Sequence, residues 1–472
     1  MKTSSRLLLL AIFAIQFFAG SLWAVEVSQE KLDALIKRID ELEEKVDALE
    51  RRGPVAQPAV ITNQSGAAAA MERAAPMVSL GSSGLIVRSE DSNFVFNLHG
   101  FMQADARFYF GEKTVPDTFL LRRIRPIFEG TVYNMFDYRL QLDFASNVTS
   151  PGTNNDGFVT DAYMNARLWT NFQIQAGKFK PPVGLERDQS TANLQFVETG
   201  LPTQFVPNYD LGAMIHNGLF DHTVNYALGI FNGVADGGSD DIETTDEGKE
   251  FVGRIFAQPF LRTDITPLRG LGFGGGASYG YRSGTTRSYT TQGQQTFFAY
   301  GNATSAVTYS GEQYRIDPQG YYYWGPFGIY GEYVMDSQSL RSVTGAAVTT
   351  GRFYNTAWQV IGSYALTGEN NSFTPLMPQN PVGLHDGGWG AFELVARIGQ
   401  MSMDNNLFPL FASTTSAREQ TSWGAGINWH LNRNLKLQLD YESTMFRDGS
   451  SVAGSATARP EHVILSRAQL NF

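Results

Sequence analysis

The sequence predicts an all-β protein, a 16-stranded antiparallel transmembrane β-barrel preceded by a short N-terminal coiled-coil helix. From about residue 94 to residue 472, apolar and polar residues alternate with a period of two, as in LQLDF and NLKLQLDYE. Such alternation is typical of strands with one wet and one apolar face. The connections alternate between tight turns and long polar loops. An even number of strands with short turns at one end and long loops at the other is the pattern of a bacterial outer-membrane barrel.

Each predicted strand is bounded by turn signals. YNM, FD and WGP are tight connections, whereas residues 180–209 and the acidic run VADGGSDDIETTDEGK are long ones. LRTDITPLRG and GENNSFTPLMPQNPVGLHDG are long although they fall at the short-turn end, and the second is a candidate for folding into the pore or capping it. The predicted strands are residues 93–109, 119–133, 136–146, 158–169, 171–179, 210–219, 222–232, 249–260, 271–283, 312–323, 326–336, 353–367, 388–402, 418–430, 434–446 and 461–472.

Composition excludes several other classes of protein. The chain has 472 residues, no cysteine and a formal net charge of -10. The lack of cysteine excludes disulfides and thiolate metal sites, and the negative charge argues against binding to nucleic acid. After the N-terminus no uninterrupted apolar stretch is long enough for a membrane-spanning helix. We expect no cofactor.

The region before the barrel is predicted to contain three segments. Residues 1–24 are a secretory signal peptide, because basic MKTSSR precedes the short apolar core LLLLAIFAIQFFAG. Residues 25–52 carry a heptad seam with charged flanks, which indicates a short periplasmic coiled coil; a single amphipathic helix lying on its own domain is the alternative. Residues 53–91 are rich in Pro, Gly, Ala and Ser and are predicted to be a flexible linker. The barrel then covers residues 92–472. The heptad positions are Leu32, Leu35, Ile39, Leu42, Val46 and Leu49.

The run FLLRRIRPIFEGTVY, residues 119–133, combines an apolar face with arginines. In a barrel the apolar face meets lipid and the other face meets a water-filled lumen. Arg123 and Arg125 stand out among the inward bases, because Ile127 separates them from Glu129. Pro126 cannot donate to a strand ladder, so it requires a bulge or a position near the rim.

Several segments resemble the phosphate-selective porin O and P family. They are LRRIRPIFEGTVYNMFDYRLQLDFA, DAYMNARLW, QAGKFKPPVGLERDQSTANLQFVETGLP and YALGIFNG, followed by TAWQVIGSYALTGEN, GAFELVARIGQM and NWHLNRNLKLQLDYE. GKFKPPVGLE followed by FVETGLP is the most specific piece. The resemblance implies a trimeric, sixteen-stranded outer-membrane porin whose arginine- and lysine-rich lumen passes anions, with phosphate or polyphosphate as the best-known cargo.

The resemblance also implies that residues 180–209 fold into the barrel and narrow the pore. Hydroxyls and cations in a narrow opening are what a dehydrating anion needs. Inward bases and acids nearly balance by period, so we predict anion selectivity of some degree rather than strict phosphate selectivity. The residues predicted to form the anion pathway are Arg123, Arg125, Arg139, Arg167, Lys180, Arg187, Ser190 and Thr191.

Two other classes of function are kept beside the anion porin. One is a general or other-solute porin, and the other is a structural tether that links the outer membrane to the cell wall through the coiled coil. An enzyme is not predicted, because the six histidines show no nucleophile or metal-ligand spacing. The expected partners are phosphate or other small anions, outer-membrane lipid, two further copies in a homotrimer, and the cell wall as a candidate contact of the N-terminal helix.

Overall fold

The structure is a computed structural model that describes residues 76–111, 115–145, 159–239, 248–301, 305–383, 387–448, 457 and 459–472. The chain divides into two units, Met1–Arg73 and Ala74–Phe472, and the described residues all belong to the second. The predicted signal peptide, coiled coil and most of the linker therefore lie outside the described residues and stay predictions.

Sixteen strands form one closed antiparallel barrel, as the alternation predicts. Each barrel strand pairs with its neighbours in the chain, and the last strand closes on the first through the pairs from Phe101↔Asn471 to Phe110↔His462. In chain order the strands are β1 (Met77–Gly81), β2 (Gly84–Arg88), β3 (Phe94–Phe110), β4 (Thr118–Val132), β5 (Phe136–Leu142), β6 (Val159–Trp169), β7 (Phe172–Phe179), β8 (Asp210–Leu219), β9 (Val224–Phe231), β10 (Glu250–Ala257), β11 (Leu271–Thr285), β12 (Tyr289–Thr290), β13 (Thr296–Phe298), β14 (Ser305–Trp324), β15 (Phe327–Thr344), β16 (Ala347–Ala365), β17 (Ala391–Ser402), β18 (Glu419–His430), β19 (Leu435–Arg447) and β20 (Glu461–Asn471). The barrel consists of β3–β11 and β14–β20.

The outer face of the barrel carries large exposed apolar side chains. Phe119 of β4, Met164 of β6 and Ile255 of β10 are 80%, 70% and 62% exposed. Aromatic residues such as Trp169 and Phe220 lie exposed beside the short turns. An apolar band flanked by aromatic residues is what a lipid-facing barrel wall requires. Among the described residues, no helix is both long and apolar enough to cross a membrane.

A β-bulge in β4 turns two successive arginines toward the lumen. Gln103 pairs with Arg123, but the next residue of β3, Ala104, pairs with Leu121, so Arg122 is the extra residue. Leu121 faces outward and is 47% exposed, whereas Arg122 contacts Glu198 inside the barrel. Bulges commonly redirect side chains in this way. Strict alternation would have placed Arg122 on the lipid face.

Pro126 lies where it interrupts no hydrogen bond of the ladder. Its partner on β3 is Gly100, and the N–H and C=O of Gly100 bond to Phe472 instead. In antiparallel geometry the backbone nitrogen of Pro126 therefore faces β5. The β4–β5 ladder ends at the pair Ile127↔Gln141, one residue short of Pro126. The bulge lies at Arg122, and the end of a ladder accommodates the proline.

The predicted linker needs a correction, because its last part forms the hairpin β1–β2. β2 pairs with β3 from Leu85↔Leu98 to Arg88↔Val95, whereas β20 pairs with β3 only from Phe101 onward. β2 thus covers the edge of β3 that β20 leaves open. These strands have only five residues each, too few for a period to be recognised in the sequence.

Strands β14–β16 are longer than predicted. They have 20, 18 and 19 residues, and β15 continues into β16 through a turn at Gly345, which adopts a φ of 59°. Beyond Asp336 the outward positions of β15 include Ser337, Ser339 and Arg341. Both faces are therefore polar in this part, and the alternation that identified the strand disappears.

Loops fill much of the lumen. Residues 180–209, here called the constriction loop, contain a short helix α1 (Leu185–Asp188) and a 3₁₀ turn (Leu201–Gln204). The loop lies inside the barrel, with Leu185, Phe196 and Phe205 fully buried. Further 3₁₀ turns occur at Thr266–Leu268 and Asn405–Leu407.

Two further connections pack into the interior from opposite ends. The connection that carries β12 and β13 buries Phe297 and Phe298 at the long-loop end. From the short-turn end, the connection between β16 and β17 inserts Phe373, whose ring stacks on Tyr321 with centroids 5.1 Å apart and meets Tyr330 edge-on at 6.1 Å. The part of this connection around Phe373 therefore folds into the barrel.

Candidate functional site

Two adjoining cavities lie inside the barrel; β4 and β6 line both of them, and β5 and β7–β10 line only the lower one. The upper cavity, on the long-loop side, has a volume of about 230 Å³. The lower cavity opens toward the short turns and has a volume of about 560 Å³. Arg125, Thr191 and Tyr209 line both cavities. These three residues therefore mark the junction between the two cavities.

The junction is closed by hydrogen bonds of the Arg125 guanidinium. Its Nη1 donates to Thr191 Oγ1 and to Tyr209 Oη, both at 3.2 Å. Its Nε donates to Asp143 Oδ2 at 2.7 Å in an ion pair. The backbone of Thr191 is held in turn, since Gln103 donates to its carbonyl oxygen at 3.1 Å. A wall arginine and the constriction loop thus meet between the two cavities.

The upper cavity contains more bases than acids. The bulge in β4 contributes two of its arginines. Arg122 Nε lies 2.8 Å from Glu198 Oε1, whereas Arg123 donates to Gln103 Oε1 at 2.9 Å and forms no ion pair with any described residue. The arginines that line it are Arg122, Arg123, Arg125, Arg187 and Arg287, and the carboxylates are Asp143, Glu198 and Asp236.

Glu198 of the constriction loop is almost fully buried and accepts from two wall arginines. Arg107 Nη2 lies 3.0 Å from Glu198 Oε1, and Arg122 Nε lies 2.8 Å from the same oxygen. Burial alone would raise the pKa of the Glu198 carboxyl, but Arg122 and Arg107 outweigh burial and hold that pKa well below its usual range. Glu198 therefore stays ionised and fixes the tip of the loop to the wall.

Arg187 braces the constriction loop from within. Its Nη1 donates to Asn208 Oδ1 at 3.1 Å, and its Nη2 donates to the carbonyl oxygen of Thr203. Because the start and the end of the loop are joined in this way, Arg187 has a structural role besides lining the upper cavity.

The lower cavity also holds more bases than acids, but most of its bases are paired. Arg139 Nη1 lies 2.6 Å from Glu129 Oε2, and Arg139 Nε lies 3.6 Å from Asp161 Oδ2. Arg254 Nη1 lies 3.3 Å from Asp188 Oδ2. The bases that line the cavity are Arg125, Arg139, Lys180 and Arg254, and the carboxylates are Asp161 and Asp188.

Lys180 stands at the top of the lower cavity. Its Nζ donates to the carbonyl oxygen of Gln189 at 2.5 Å and lies 5.7 Å from the centroid of the Tyr209 ring. No carboxylate among the described residues pairs with it. Burial lowers the pKa of the Lys180 ammonium, as does the nearby Arg187, to about 7 despite the opposing effect of Asp161.

The structure brings together most of the residues predicted for the anion pathway, whose roles stay predictions. Arg123 and Arg187 line the upper cavity; Arg139, Lys180 and Ser190 line the lower one; Arg125 and Thr191 line both. Arg167 lies apart. It is exposed near the short-turn rim, where it pairs with Asp137 at 3.2 Å and donates to the carbonyl oxygen of Asn134.

Sequence reasoning missed several residues of this site. Arg122 was hidden because strict alternation gives no sign of the bulge. Tyr209 lies directly before β8, where only its position at the end of the constriction loop could have drawn attention to it. Arg287 and Glu198 belong to loops, for which a strand period predicts no direction. Among the described residues, no group of His, Asp or Glu side chains could hold a metal ion.

Comparisons with known proteins agree with this architecture. The chain is 22% identical to Porin O of Pseudomonas aeruginosa over 395 residues, which cover 76% of this chain and 84% of that protein. Its fold is similar to the outer membrane channel DcaP of Acinetobacter baumannii, with a TM-score of 0.50, 11% identity, and coverage of 82% of this chain and 99% of that one. A model of the family described as phosphate-selective porin O and P matches residues 96–472. The chain therefore belongs to the phosphate-selective porin O and P family, and it is a porin channel of the bacterial outer membrane rather than an enzyme.

Proposed function

We propose that this porin passes small anions by passive diffusion, with phosphate or polyphosphate among them. The observation that carries the proposal is the excess of bases in both cavities. Among the described residues, five arginines and three carboxylates line the upper cavity, and four bases and two carboxylates line the lower one. A charge in a narrow pore is screened less by water than a charge at an open surface, so such an excess favours anions.

The junction supports the same proposal. Arg125 and Thr191 offer guanidinium and hydroxyl donors to an anion that loses part of its hydration shell, and Tyr209 adds a phenolic hydroxyl. A guanidinium presents a planar fork of donors that matches phosphate oxygens. For scale, one unit charge ~4 Å from an ion contributes about 4 kcal/mol at an effective dielectric constant of ~20, before the desolvation of the ion is subtracted.

A reversal-potential measurement tests the proposal. The full-length protein is reconstituted into a planar bilayer across a tenfold KCl gradient, and the zero-current voltage gives the sign of its selectivity. We expect preference for chloride over potassium, and a smaller conductance when phosphate replaces chloride, because phosphate binds longer at the arginines. Selectivity for potassium would contradict the proposal. An outer-membrane anchor with no measurable channel would instead support the tether.

The assembly proposed for the protein is a homotrimer in outer-membrane lipid, as the family resemblance implies. Native mass spectrometry in mild detergent measures the number of copies. A variant that lacks residues 25–52 tests whether the predicted coiled coil is required, since we expect contacts between barrels to hold the trimer. A truncated protein that runs as a monomer would assign assembly to the coiled coil. Loss of co-sedimentation with cell wall in the same variant would support contact of this segment with the cell wall.

A further inference from the structure

We infer that the lower cavity accommodates organic anions, in which an anionic head is attached to an apolar body. The inference rests on the proposed anion selectivity and names the class of solute that this part of the pore favours. It concerns the space between the junction and the short turns. It depends on three observations: the size of the cavity, an apolar wall, and one lining cation that has no carboxylate partner among the described residues.

The size of the lower cavity fits a small organic molecule. Its volume of about 560 Å³ falls within the range of roughly 300–1,000 Å³ that is typical of small-molecule sites. The upper cavity, where most of the arginines lie, is less than half as large. A single inorganic phosphate would leave most of the lower cavity to water.

One side of the lower cavity is apolar. Tyr163, Phe179 and Met214 line it, and the rings of Tyr163 and Phe179 meet edge-on with centroids 5.8 Å apart. Phe231 supports this wall from behind, 5.2 Å from Phe179. A hydrated inorganic anion gains nothing from such a surface, whereas an apolar group is stabilised when it leaves water against it.

The head of the anion has a defined partner at the top of the same cavity. Lys180 has no carboxylate partner among the described residues, whereas Arg139 and Arg254 are each engaged by acids. Arg125 and Tyr209 at the junction supply further donors. The anionic head is therefore drawn toward the junction, while the body lies against the apolar wall.

Phenyl phosphate and glycerol 2-phosphate test this arrangement, because both carry a phosphate monoester on a body of comparable size. Single-channel recordings of the full-length protein in KCl measure how long each compound interrupts the current. We expect interruptions about tenfold longer for phenyl phosphate, since transfer of its ring from water to the wall is favourable. Equal interruptions by the two compounds in an anion-selective channel would overturn the inference and leave the proposed function intact. Selectivity for potassium would overturn the proposed function and the inference together.

Variants at Met214 locate the effect. Met214→Gln keeps the length of the side chain but makes it polar, so we expect phenyl phosphate interruptions to shorten by about fivefold, while those of glycerol 2-phosphate stay unchanged. Met214→Leu is the matched control and should retain the preference. An undiminished preference in a folded Met214→Gln channel would overturn the assignment to this wall. The comparison of the two compounds in the wild type decides the inference even where a variant does not fold.

Discussion

The two sides of the barrel interior use the same residue types in opposite ways. On the side of β14–β20, arginines are enclosed with carboxylates. Arg315 contacts Asp236 and Glu250, and Arg467 Nη2 lies 2.7 Å from Asp105 Oδ2. On the side of β4–β10, arginines line open cavities and outnumber the acids there. The comparison teaches that inward arginines alone do not indicate a pathway for anions. They become candidates for one where they outnumber the neighbouring carboxylates and where they line a cavity.

Two of the enclosed arginines hold loops in place. Arg397 pairs with Glu442 and donates to the carbonyl oxygen of Glu198 at 2.9 Å, which fastens the constriction loop to β17. Arg315 fastens the connection after β9 through Asp236. The wall formed by β14–β20 thus holds loops that lie inside the barrel.

The largest expected effect is on stability, from Arg315→Met. The side chain of Arg315 is 1% exposed and lies between Asp236, Glu250 and Asp336. The variant therefore leaves Asp236 and Asp336 buried without this cation, whereas Glu250 keeps its contact with Arg282. We expect a loss of about 3–5 kcal/mol in the free energy of unfolding, measured by urea titration in detergent. Arg352→Met is the control, because Arg352 and Glu312 form an exposed pair and no measurable change is expected. Equal effects of the two variants would mean that enclosure of an ion pair does not determine its contribution to stability.

The next largest effect is expected from Arg125→Ala at the junction. The variant removes the contacts with Thr191 and Tyr209 and leaves Asp143 facing the pore. Single-channel conductance should rise about twofold, since the narrowest section limits the current, and anion preference should fall. An unchanged conductance in a folded variant would mean that another section of the pore limits the current.

Arg123→Ala should change selectivity with little change in conductance. Arg123 forms no ion pair with a described residue and donates only to Gln103, so its removal subtracts a positive charge without exposing an acid. The reversal potential should move toward zero by a smaller amount than in Arg125→Ala, and Arg123→Lys should restore it. A reversal potential that stays at its wild-type value in Arg123→Ala would assign anion preference to Arg187 and Lys180 of the constriction loop.

A smaller effect is expected from pH through Lys180. Because its pKa is lowered to about 7, the ammonium is charged at pH 6 and mostly neutral at pH 8. The charged groups that face it are Arg187, Asp161, Arg125 and Asp188. Anion preference in KCl should therefore decrease from pH 6 to pH 8, and Lys180→Met should reduce this dependence. A dependence of the same size in Lys180→Met would assign it to other groups, such as the histidines near the short turns.

The smallest effect is expected from Arg167→Gln. Arg167 lies outside both cavities and its side chain is 41% exposed beside Asp137. Exposed ion pairs contribute little, and water screens their charge. We expect reversal potential and conductance within the error of the wild-type measurement. A clear shift would extend the pathway to the rim and restore Arg167 to the residues that bind anions.

The membrane makes the barrel predictable from the sequence, because every spanning strand must present an apolar face to lipid. The resulting alternation predicts strands such as β5 and β19. It is absent from β15 beyond Asp336, where the outward face is polar, so the length of that strand was underestimated. The hairpin β1–β2 was missed for a related reason, since strands of five residues are too short to show a period.

The site could be predicted only in part, since its contacts depend on loops and on register. The sequence separates Arg125 from Glu129 by Ile127, and Glu129 contacts Arg139 and His99. Asp143 opposes Arg125 because the β4–β5 ladder ends near Pro126 and the backbone N–H of Ile124 donates to Asp143. Phe373 entered the interior from a connection whose sequence carries no periodic signal.

The bulge in β4 adds an inward arginine without changing how either half of the strand pairs with β3. Upstream of it Phe119 and Leu121 face lipid, and downstream Ile124 and Phe128 do, so the two halves of the strand follow alternations that are one residue out of step. Deletion of Arg122 would leave Leu121 facing outward and Arg123 facing inward, so the strand would alternate regularly and both halves would keep their directions. The bulge is thus an inserted residue that adds one arginine to the lumen without moving an inward side chain of the strand to the hydrocarbon.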